Sequence, residues 1–231
     1  MPRKTKEDAL KTRRRILASA LSLFVRKGYE HTTFTDIAAR LGMTKGAVYW
    51  HFDTKEGLLV TLIDEMLTKF RRQLSSFLPG GEGGFGSLSF PVVADMMVRN
   101  ATQLIGDARS TAFFLLIHEQ IRWADASMEK VRDDLLKNKR FGPWVAFRTA
   151  VENDVRAGRA RADADSVQVA TVCMAIWDGL VHARIARVLQ CDLEDTLRKS
   201  YAAVWSAMKA GEGSQRCKTR AKRRRAAPSA P

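Results

Sequence analysis

The stretch of sequence that decides the fold is residues 33–56, TFTDIAARLGMTKGAVYWHFDTKE. It opens with Thr33-Phe-Thr-Asp36, a capping box in which the threonine hydroxyl accepts from an unpaired amide of the first turn and the aspartate reaches back. Gly42 is the residue type that a tight left-handed turn favours, and Thr44 is placed to cap a second short helix. Two short helices joined by such a turn predict a helix-turn-helix over residues 33–52.

Five apolar side chains in this stretch are spaced to form a small core that sets the angle between its two helices. They are Ile37, Ala38, Leu41, Val48 and Phe52. Residues 7–27 have apolar side chains at three- and four-residue spacings, which predicts a preceding helix that ends at Gly28. A second capping box, Asp53-Thr-Lys-Glu56, predicts the start of a long fourth helix that reaches about Leu78.

The remainder of the chain also has a helical pattern, without the alternation that is typical of a strand. The predicted helices cover residues 91–106, 110–126, 128–157, 165–190 and 193–210. Gly142-Pro143 should kink or split the third of these. Residues 79–91, PGGEGGFGSLSFP, are too rich in glycine and proline to continue a helix. The predicted fold class is therefore all-α.

The positive charge of the chain lies at its two ends. Of the formal net charge of +14, residues 1–72 carry +7, residues 73–208 carry zero and residues 209–231 carry +7. A basic block that contains a helix-turn-helix indicates double-stranded DNA as the partner. Residues 211–231 have almost no large apolar side chain and are predicted to form a disordered basic tail.

Several classes of protein are disfavoured by the same sequence. The three cysteines, Cys173, Cys191 and Cys217, have no C-x-x-C spacing, which argues against a disulfide framework or a zinc site. We expect no metal and no cofactor. The charged N-terminus has no apolar signal region, and no run of about 18 uncharged apolar residues occurs, so we expect a cytoplasmic protein with no membrane partner. No nucleophile–base pair or phosphate-binding glycine loop is evident, so we do not expect an enzyme.

The segment Lys45-Gly-Ala-Val-Tyr-Trp-His-Phe52, with Lys55-Glu56 after it, resembles the signature of the TetR family of bacterial repressors. The resemblance covers about residues 10–66, and the N-terminus, residues 3–13, looks most like the multidrug-efflux (AcrR-type) repressors of that family. It implies a ligand-responsive transcriptional repressor that binds a palindromic operator as a homodimer. A small apolar or amphipathic effector would release it, and it would control an efflux system.

The resemblance also implies how the chain is divided. The helix-turn-helix DNA-binding domain would cover residues 1–56, with the recognition segment at 33–52. A helical ligand-binding and dimerisation domain would cover residues 57–210, and residues 211–231 would be the basic tail. Family members dimerise through their last two helices, which correspond here to residues 165–190 and 193–210 and are too apolar for a lone surface pair.

Nine residues match positions that contact DNA in this family. Those matching phosphate contacts at the start of the second helix are Thr33 and Thr35. Those matching residues in the major groove are Thr44, Lys45 and Gly46. Those matching phosphate clamps are Tyr49, Trp50, His51 and Lys55. Lys45 is favoured for a base contact because a long donor can reach O6 and N7 of guanine. One or two of Arg13, Arg14 and Arg15 are also expected to touch phosphates.

The family places a ligand pocket in the charge-neutral middle of the chain, but the resemblance does not carry its residues over. Residue type alone suggests rigid apolar walls and a few polar anchors. The candidate walls are Phe113, Phe114, Trp144 and Trp177, and the candidate anchors for a cationic ligand are Glu119 and Asp178. The alternative for each of them is a purely structural role, in the helical core or in an internal hydrogen bond.

Three other classes of protein stay open at this point. An architectural DNA-binding protein without an effector would use the two basic blocks non-specifically. A helical enzyme would need a catalytic constellation, and none stands out. A regulator controlled by a protein partner would have the same DNA-binding domain as one controlled by a small molecule.

Overall fold

The computed structural model describes residues 6–76, 88–137 and 142–210. The described residues form ten α-helices and no strand, which confirms the all-α fold class. The helices are α1 (Lys6–Lys27), α2 (Phe34–Leu41), α3 (Lys45–Tyr49), α4 (Lys55–Ser76), α5 (Phe90–Gly106), α6 (Ala108–Leu115), α7 (Glu129–Lys137), α8 (Pro143–Arg156), α9 (Ser166–Ile185) and α10 (Leu193–Met208). The predictions for most of the glycine-rich connection and for the basic tail fall outside the described residues.

The ends of the first helices follow from the residues that the sequence places there. Gly28 has a φ of +95° directly after α1, and Gly42 has a φ of +65° directly after α2, so both occupy the left-handed region that glycine tolerates best. The capping box that opens α2 is present: the Thr33 hydroxyl accepts from the amide of Asp36, whose carboxylate accepts from the amide of Thr33. These caps set the two ends of α2 and hence the approach to α3.

Three elements differ from their predicted form. The cap of α4 is Thr54 rather than Asp53, because the Thr54 hydroxyl accepts from the amide of Gly57 at 3.0 Å. The helix predicted over 110–126 begins as α6 and then widens into a π-helical turn, Leu116–Gln120. The last of the three, α9, ends at Ile185 instead of continuing to residue 190, because Arg187 adopts a φ of +59°.

The chain divides into two compact units that differ from the predicted domains. The first contains residues 1–69 and 104–140, and the second contains residues 70–103 and 141–231. The long helix α4 therefore begins in the first unit and ends in the second. The division describes how contacts cluster, and the functional domain boundaries inferred from the resemblance stay a prediction.

A single apolar core runs through the first unit. Residues of α1 through α4 meet the π-helical turn there, and Ile37, Val48 and Leu116 are completely buried. Four of the five predicted core residues of the helix-turn-helix, all except Leu41, are buried, and Leu41 packs against the same cluster. The predicted core of the motif is confirmed.

The second unit has a separate core built around stacked aromatic rings. The ring of Phe90 lies 5.6 Å from that of Phe147 and is stacked on that of Trp205, also at 5.6 Å between centroids. Two buried polar residues at the end of α8 hold the chain where α5 begins. Asp154 accepts from the backbone amide of Phe90 at 2.8 Å, and Asn153 donates to the carbonyl of Leu88 at 2.9 Å.

Helix α9 is apolar on most of its circumference although much of it is exposed. Judged on length and composition alone, it could cross a membrane, with a mean hydropathy of 1.2 over its best 18 residues, of which 22% are buried. It packs within the second unit against α8 and α10. The unburied side carries the small residues Ala175 and Gly179 and the exposed Val167 and Val172.

Candidate nucleic-acid interface

The beginning of α3 presents polar groups and bare backbone to solvent. Thr44 caps the helix, with its hydroxyl accepting from the amide of Ala47 at 3.2 Å. Lys45 and Gly46 follow in the first turn, and all three residues are exposed. A helix N-terminus carries amides without an intrahelical partner and a partial positive charge. This end of α3 therefore offers donors at the position where a recognition helix enters a groove.

Gly46 is not required by the fold of the chain itself. Its φ is not positive, and a Cβ added to it would meet only the Thr44 hydroxyl oxygen, at an ordinary contact distance of 3.9 Å. A glycine in a helix costs stability compared with alanine, about 0.5–1 kcal/mol in a helix interior. The described chain therefore leaves room for a side chain at this exposed position.

The other end of α3 presents two large aromatic side chains. Trp50 is 73% exposed, and its ring meets that of His51 edge-on, with 4.6 Å between centroids. Tyr49 is 45% exposed, and its ring packs edge-on against Phe34 at 4.9 Å, which leaves its outer part open to a partner. The two neighbouring side chains form an exposed aromatic surface at this end of α3.

The start of α2 combines exposed hydroxyls with a well-bonded carboxylate. Thr33 and Thr35 are both exposed, and the Thr33 hydroxyl also donates to Asp36 at 2.6 Å. Hydrogen bonds from the Lys27 ammonium and from Thr33 lower the pKa of Asp36 below its ordinary value. Because Lys27 neutralises Asp36 at 2.6 Å, this carboxylate repels a nearby phosphate less than its formal charge suggests.

Lys55 is bound inside the first unit rather than directed into solvent. Its ammonium donates to the carbonyls of Tyr29 at 3.0 Å and Glu30 at 3.3 Å, and it lies 4.4 Å from the centre of the Tyr29 ring. Burial raises the pKa of Tyr29, so the phenol stays protonated beneath the ammonium. Lys55 therefore fastens α4 to the loop after α1.

Arg13 has a structural role that the sequence did not distinguish from those of its neighbours. Its guanidinium donates to the carbonyl of His51 at 2.6 Å and to the hydroxyl of Thr61 at 3.3 Å, and it covers the ring of Phe52 at 4.0 Å. Arg14 and Arg15 are exposed. The basic run is uniform in sequence, and only the position of each side chain around α1 separates them, which a helical projection could have indicated.

The six candidate pocket residues fall in both compact units. Phe113, Phe114 and Glu119 belong to the first: Phe114 is buried and stacked on His118, Phe113 is half-buried, and Glu119 is exposed. Trp144, Trp177 and Asp178 belong to the second. Both tryptophans use their indole N–H internally, Trp177 to the carbonyl of Met97 and Trp144 to the hydroxyl of Thr171. A role in ligand binding stays a prediction for all six.

One apolar cavity in the second unit was not predicted. It has a volume of about 250 Å³, lies between α5 and α10, and contains none of the six candidates. Its walls include Phe90 and Trp205, and the ion pair of Asp95 with Arg198 lies at its polar side. The signal for it in the sequence was the aromatic spacing of α10, which by itself does not identify the facing helix.

Among the described residues, no group of three His, Cys, Asp or Glu is arranged to hold a metal ion.

Comparison with known proteins agrees with the geometry of the helix-turn-helix. The family model described as bacterial regulatory proteins, tetR family, matches residues 16–62. The HTH-type transcriptional regulator TtgR of Pseudomonas putida is 28% identical over 189 residues, covering 78% of this chain and 83% of TtgR. AcrR of Shigella flexneri is 48% identical over 58 residues, which is 25% of this chain and 27% of AcrR.

The solved structures extend the similarity to the whole fold. The complex of SmeT with triclosan superposes with a TM-score of 0.68 at 22% identity, covering 88% of this chain and 94% of SmeT. A second structure describes SmeT as the repressor of the Stenotrophomonas maltophilia multidrug efflux pump SmeDEF, with a TM-score of 0.63 over 87% of this chain and 92% of SmeT. Residues 16–62 therefore match the tetR family of bacterial regulatory proteins, and the solved structures show that the chain shares the fold of SmeT.

Proposed function

We propose that the protein is a ligand-responsive transcriptional repressor that binds a palindromic operator as a homodimer. The observation that carries this proposal is α3, which presents Thr44, Lys45 and the sterically unneeded Gly46 at its start and Trp50 just beyond its end. Such a short helix, backed by a buried core and open on its other side, fits the major groove. Regulators of this kind act in the cytoplasm, where the operator DNA is.

The roles of the interface residues follow from their positions. Lys45 reaches base edges, while Thr44 and Gly46 let the helix start approach the groove. Thr33, Thr35, Tyr49, Trp50 and His51 contact phosphates on either side. Lys55 joins them only by giving up the carbonyls of Tyr29 and Glu30. Phosphate contacts place the head and the groove contacts select the sequence.

The homodimer forms through the helices predicted for this purpose, residues 165–190 and 193–210. Ala175 and Gly179 on α9, with Ala203 and Ala207 on α10, are exposed small residues that permit another helix to approach closely. A Cβ added at Gly179 would meet nothing within 4 Å, so the chain's own packing does not require this glycine. A second copy on this face accounts for the apolar character of α9, and a two-fold dimer matches a palindrome.

The effector is a small apolar or amphipathic molecule, and the regulated genes encode an efflux system. The second unit contains an apolar cavity with aromatic walls, and the relative SmeT was solved with triclosan and represses a multidrug efflux pump. An effector must prefer the DNA-incompetent state by about 1–3 kcal/mol to release the operator usefully.

The test is selection of operator DNA from a random pool of duplexes, followed by a footprint and by titration with triclosan. We expect one palindromic footprint that persists at raised salt and weakens as triclosan is added. A diffuse footprint that disappears with salt would instead support an architectural DNA-binding protein. A sharp footprint that triclosan and a broad panel of apolar compounds leave unchanged would favour control by a protein partner.

A further inference from the structure

Arg13 connects three elements of the DNA-binding head through one planar group. One nitrogen of its guanidinium donates to the carbonyl of His51, and the other terminal nitrogen donates to the hydroxyl of Thr61 on α4. The face of the same group covers the Phe52 ring at 4.0 Å. The side chain that makes these contacts starts from α1. Arginine combines several directed donors with a flat stacking face, whereas lysine has a compact ammonium on a flexible stem.

The contact with His51 lies where α3 ends. The carbonyl of His51 is beyond the last turn of the helix, where carbonyl groups lack an intrahelical partner. The guanidinium supplies that partner at 2.6 Å, and its positive charge suits the negative end of the helix. The side chains of Tyr49, Trp50 and His51 project from this same end, so its orientation determines where they meet DNA.

We infer that Arg13 is a positioning residue for the recognition helix: it holds the C-terminal end of α3 against α1 and α4, and it does not itself contact a phosphate. The inference rests on the proposed DNA-binding function. Its partner Thr61 is oriented in turn, because the Thr61 hydroxyl donates to the carbonyl of Gly57 at 2.9 Å. Because its proton is used in that bond, the Thr61 hydroxyl meets the guanidinium as an acceptor.

The chain provides matched controls for this role. Arg14 is adjacent in sequence and carries the same charge, but it is exposed. Arg13→Met and Arg14→Met therefore remove the same charge from the same helix, but only Arg13→Met also removes the hydrogen bonds to His51 and Thr61. Arg13→Lys keeps the charge but not the planar group. Thr61→Val is a milder change that removes one acceptor while keeping the shape of the side chain.

The experiment measures affinity of the full chain for a selected operator duplex and for a scrambled duplex of equal length, over a series of salt concentrations. We expect Arg13→Met to lower operator affinity about tenfold or more, because a charged hydrogen bond is lost. The ratio of operator to scrambled affinity should fall, and the slope of log K against log salt should stay at the wild-type value. Arg13→Lys should show the same reduced ratio, and Thr61→Val a smaller reduction.

A phosphate contact has a different signature. It would weaken both duplexes alike and reduce the salt slope by about one unit, and that outcome for Arg13→Met would overturn the inference. Unchanged operator affinity would overturn it as well. If Arg13→Met does not fold, Thr61→Val and Arg13→Lys decide by the same ratio and slope. If the wild-type chain selects no sequence from the pool, the DNA-binding proposal itself is overturned. If the wild-type chain does select a sequence, the variants test only the role of Arg13.

Discussion

The ammonium of Lys27, the last residue of α1, lies 2.6 Å from the carboxylate of Asp36 in the first turn of α2. The same carboxylate closes the capping box with Thr33. A cation at the C-terminal end of one helix and an anion at the N-terminal end of the next each suit the local helix dipole. The Asp36 side chain therefore links α1 to α2, the helix that precedes the recognition helix α3.

Asp36 should make the stability of the protein depend on pH. Its pKa is lowered in the folded state by Lys27 and Thr33, so its contribution is present above the unfolded pKa and is lost as the pH falls through the folded value. We expect the free energy of unfolding to decrease from about pH 5 downward, and to decrease less in Asp36→Asn. Urea unfolding followed by circular dichroism at several pH values measures this.

The control for Asp36 is Asp53→Asn, which removes an exposed carboxylate from the loop before α4. It should retain the wild-type loss of stability in acid. An equal flattening of the pH profile in both variants would show that the effect comes from net charge and not from the Lys27–Asp36–Thr33 contacts.

Gly46→Ala should separate DNA binding from folding. A Cβ at this position has room, and alanine favours a helix over glycine, so we expect unchanged or slightly higher stability, by about 0.5 kcal/mol. Operator affinity should nevertheless fall, because the added methyl group projects from the surface proposed to approach DNA. Thermal unfolding and a gel-shift titration check the two effects separately.

The matched comparison is Gly42→Ala. Gly42 also has open space around it, but its φ of +65° is strained for alanine, so this variant should lose about 1 kcal/mol of stability. Operator affinity of Gly46→Ala equal to wild type would remove the argument for close approach of DNA at the start of α3.

Gly179→Leu should weaken the proposed dimer. Gly179 is exposed on α9 and its Cβ direction is empty within the chain, so a leucine is accommodated in the monomer but obstructs a helix packed against this face. We expect sedimentation to show a shift from dimer toward monomer at micromolar concentration and operator affinity to fall with it.

Gly106→Leu is the corresponding control, because Gly106 is also exposed with an empty Cβ direction but lies at the end of α5. It should sediment as the wild type does. If Gly179→Leu remains fully dimeric, the dimer interface lies on a different surface.

Asp154→Asn should destabilise the second unit. The carboxylate is completely buried and accepts from the amide of Phe90 and from the guanidinium of Arg159, at 2.8 Å and 2.6 Å. Loss of the charge weakens both hydrogen bonds and reduces stability by about 2 kcal/mol. Asp163→Asn breaks a solvent-exposed pair with Arg161, and its midpoint in urea should hardly change. Similar midpoints for the two variants would contradict a role of Asp154 in holding the start of α5.

The sequence by itself was sufficient for the local features of the DNA-binding head. The capping box at Thr33, the left-handed glycines Gly28 and Gly42 and the buried face of Ile37 and Val48 depend on contacts a few residues apart, which residue type and spacing predict well. The same holds for the match to the tetR family, which is a continuous stretch over residues 16–62. Boundaries that depend on one backbone angle, such as the end of α9 at Ile185, two residues before Arg187 with its positive φ, were predicted less accurately.

Only the tertiary structure decided what the basic side chains of the head do and which helices face each other. Arg13, Arg14 and Arg15 are the same residue type in the sequence. Only Arg13 contacts His51 and Thr61, which lie 38 and 48 residues after it in the chain. Lys55 finds the carbonyls of Tyr29 and Glu30 in the same way, and Asp154 finds the amide of Phe90, 64 residues away. Such contacts arise from the packing of distant segments, and helical periodicity gives the direction of a side chain around its own helix but not the partner that it meets.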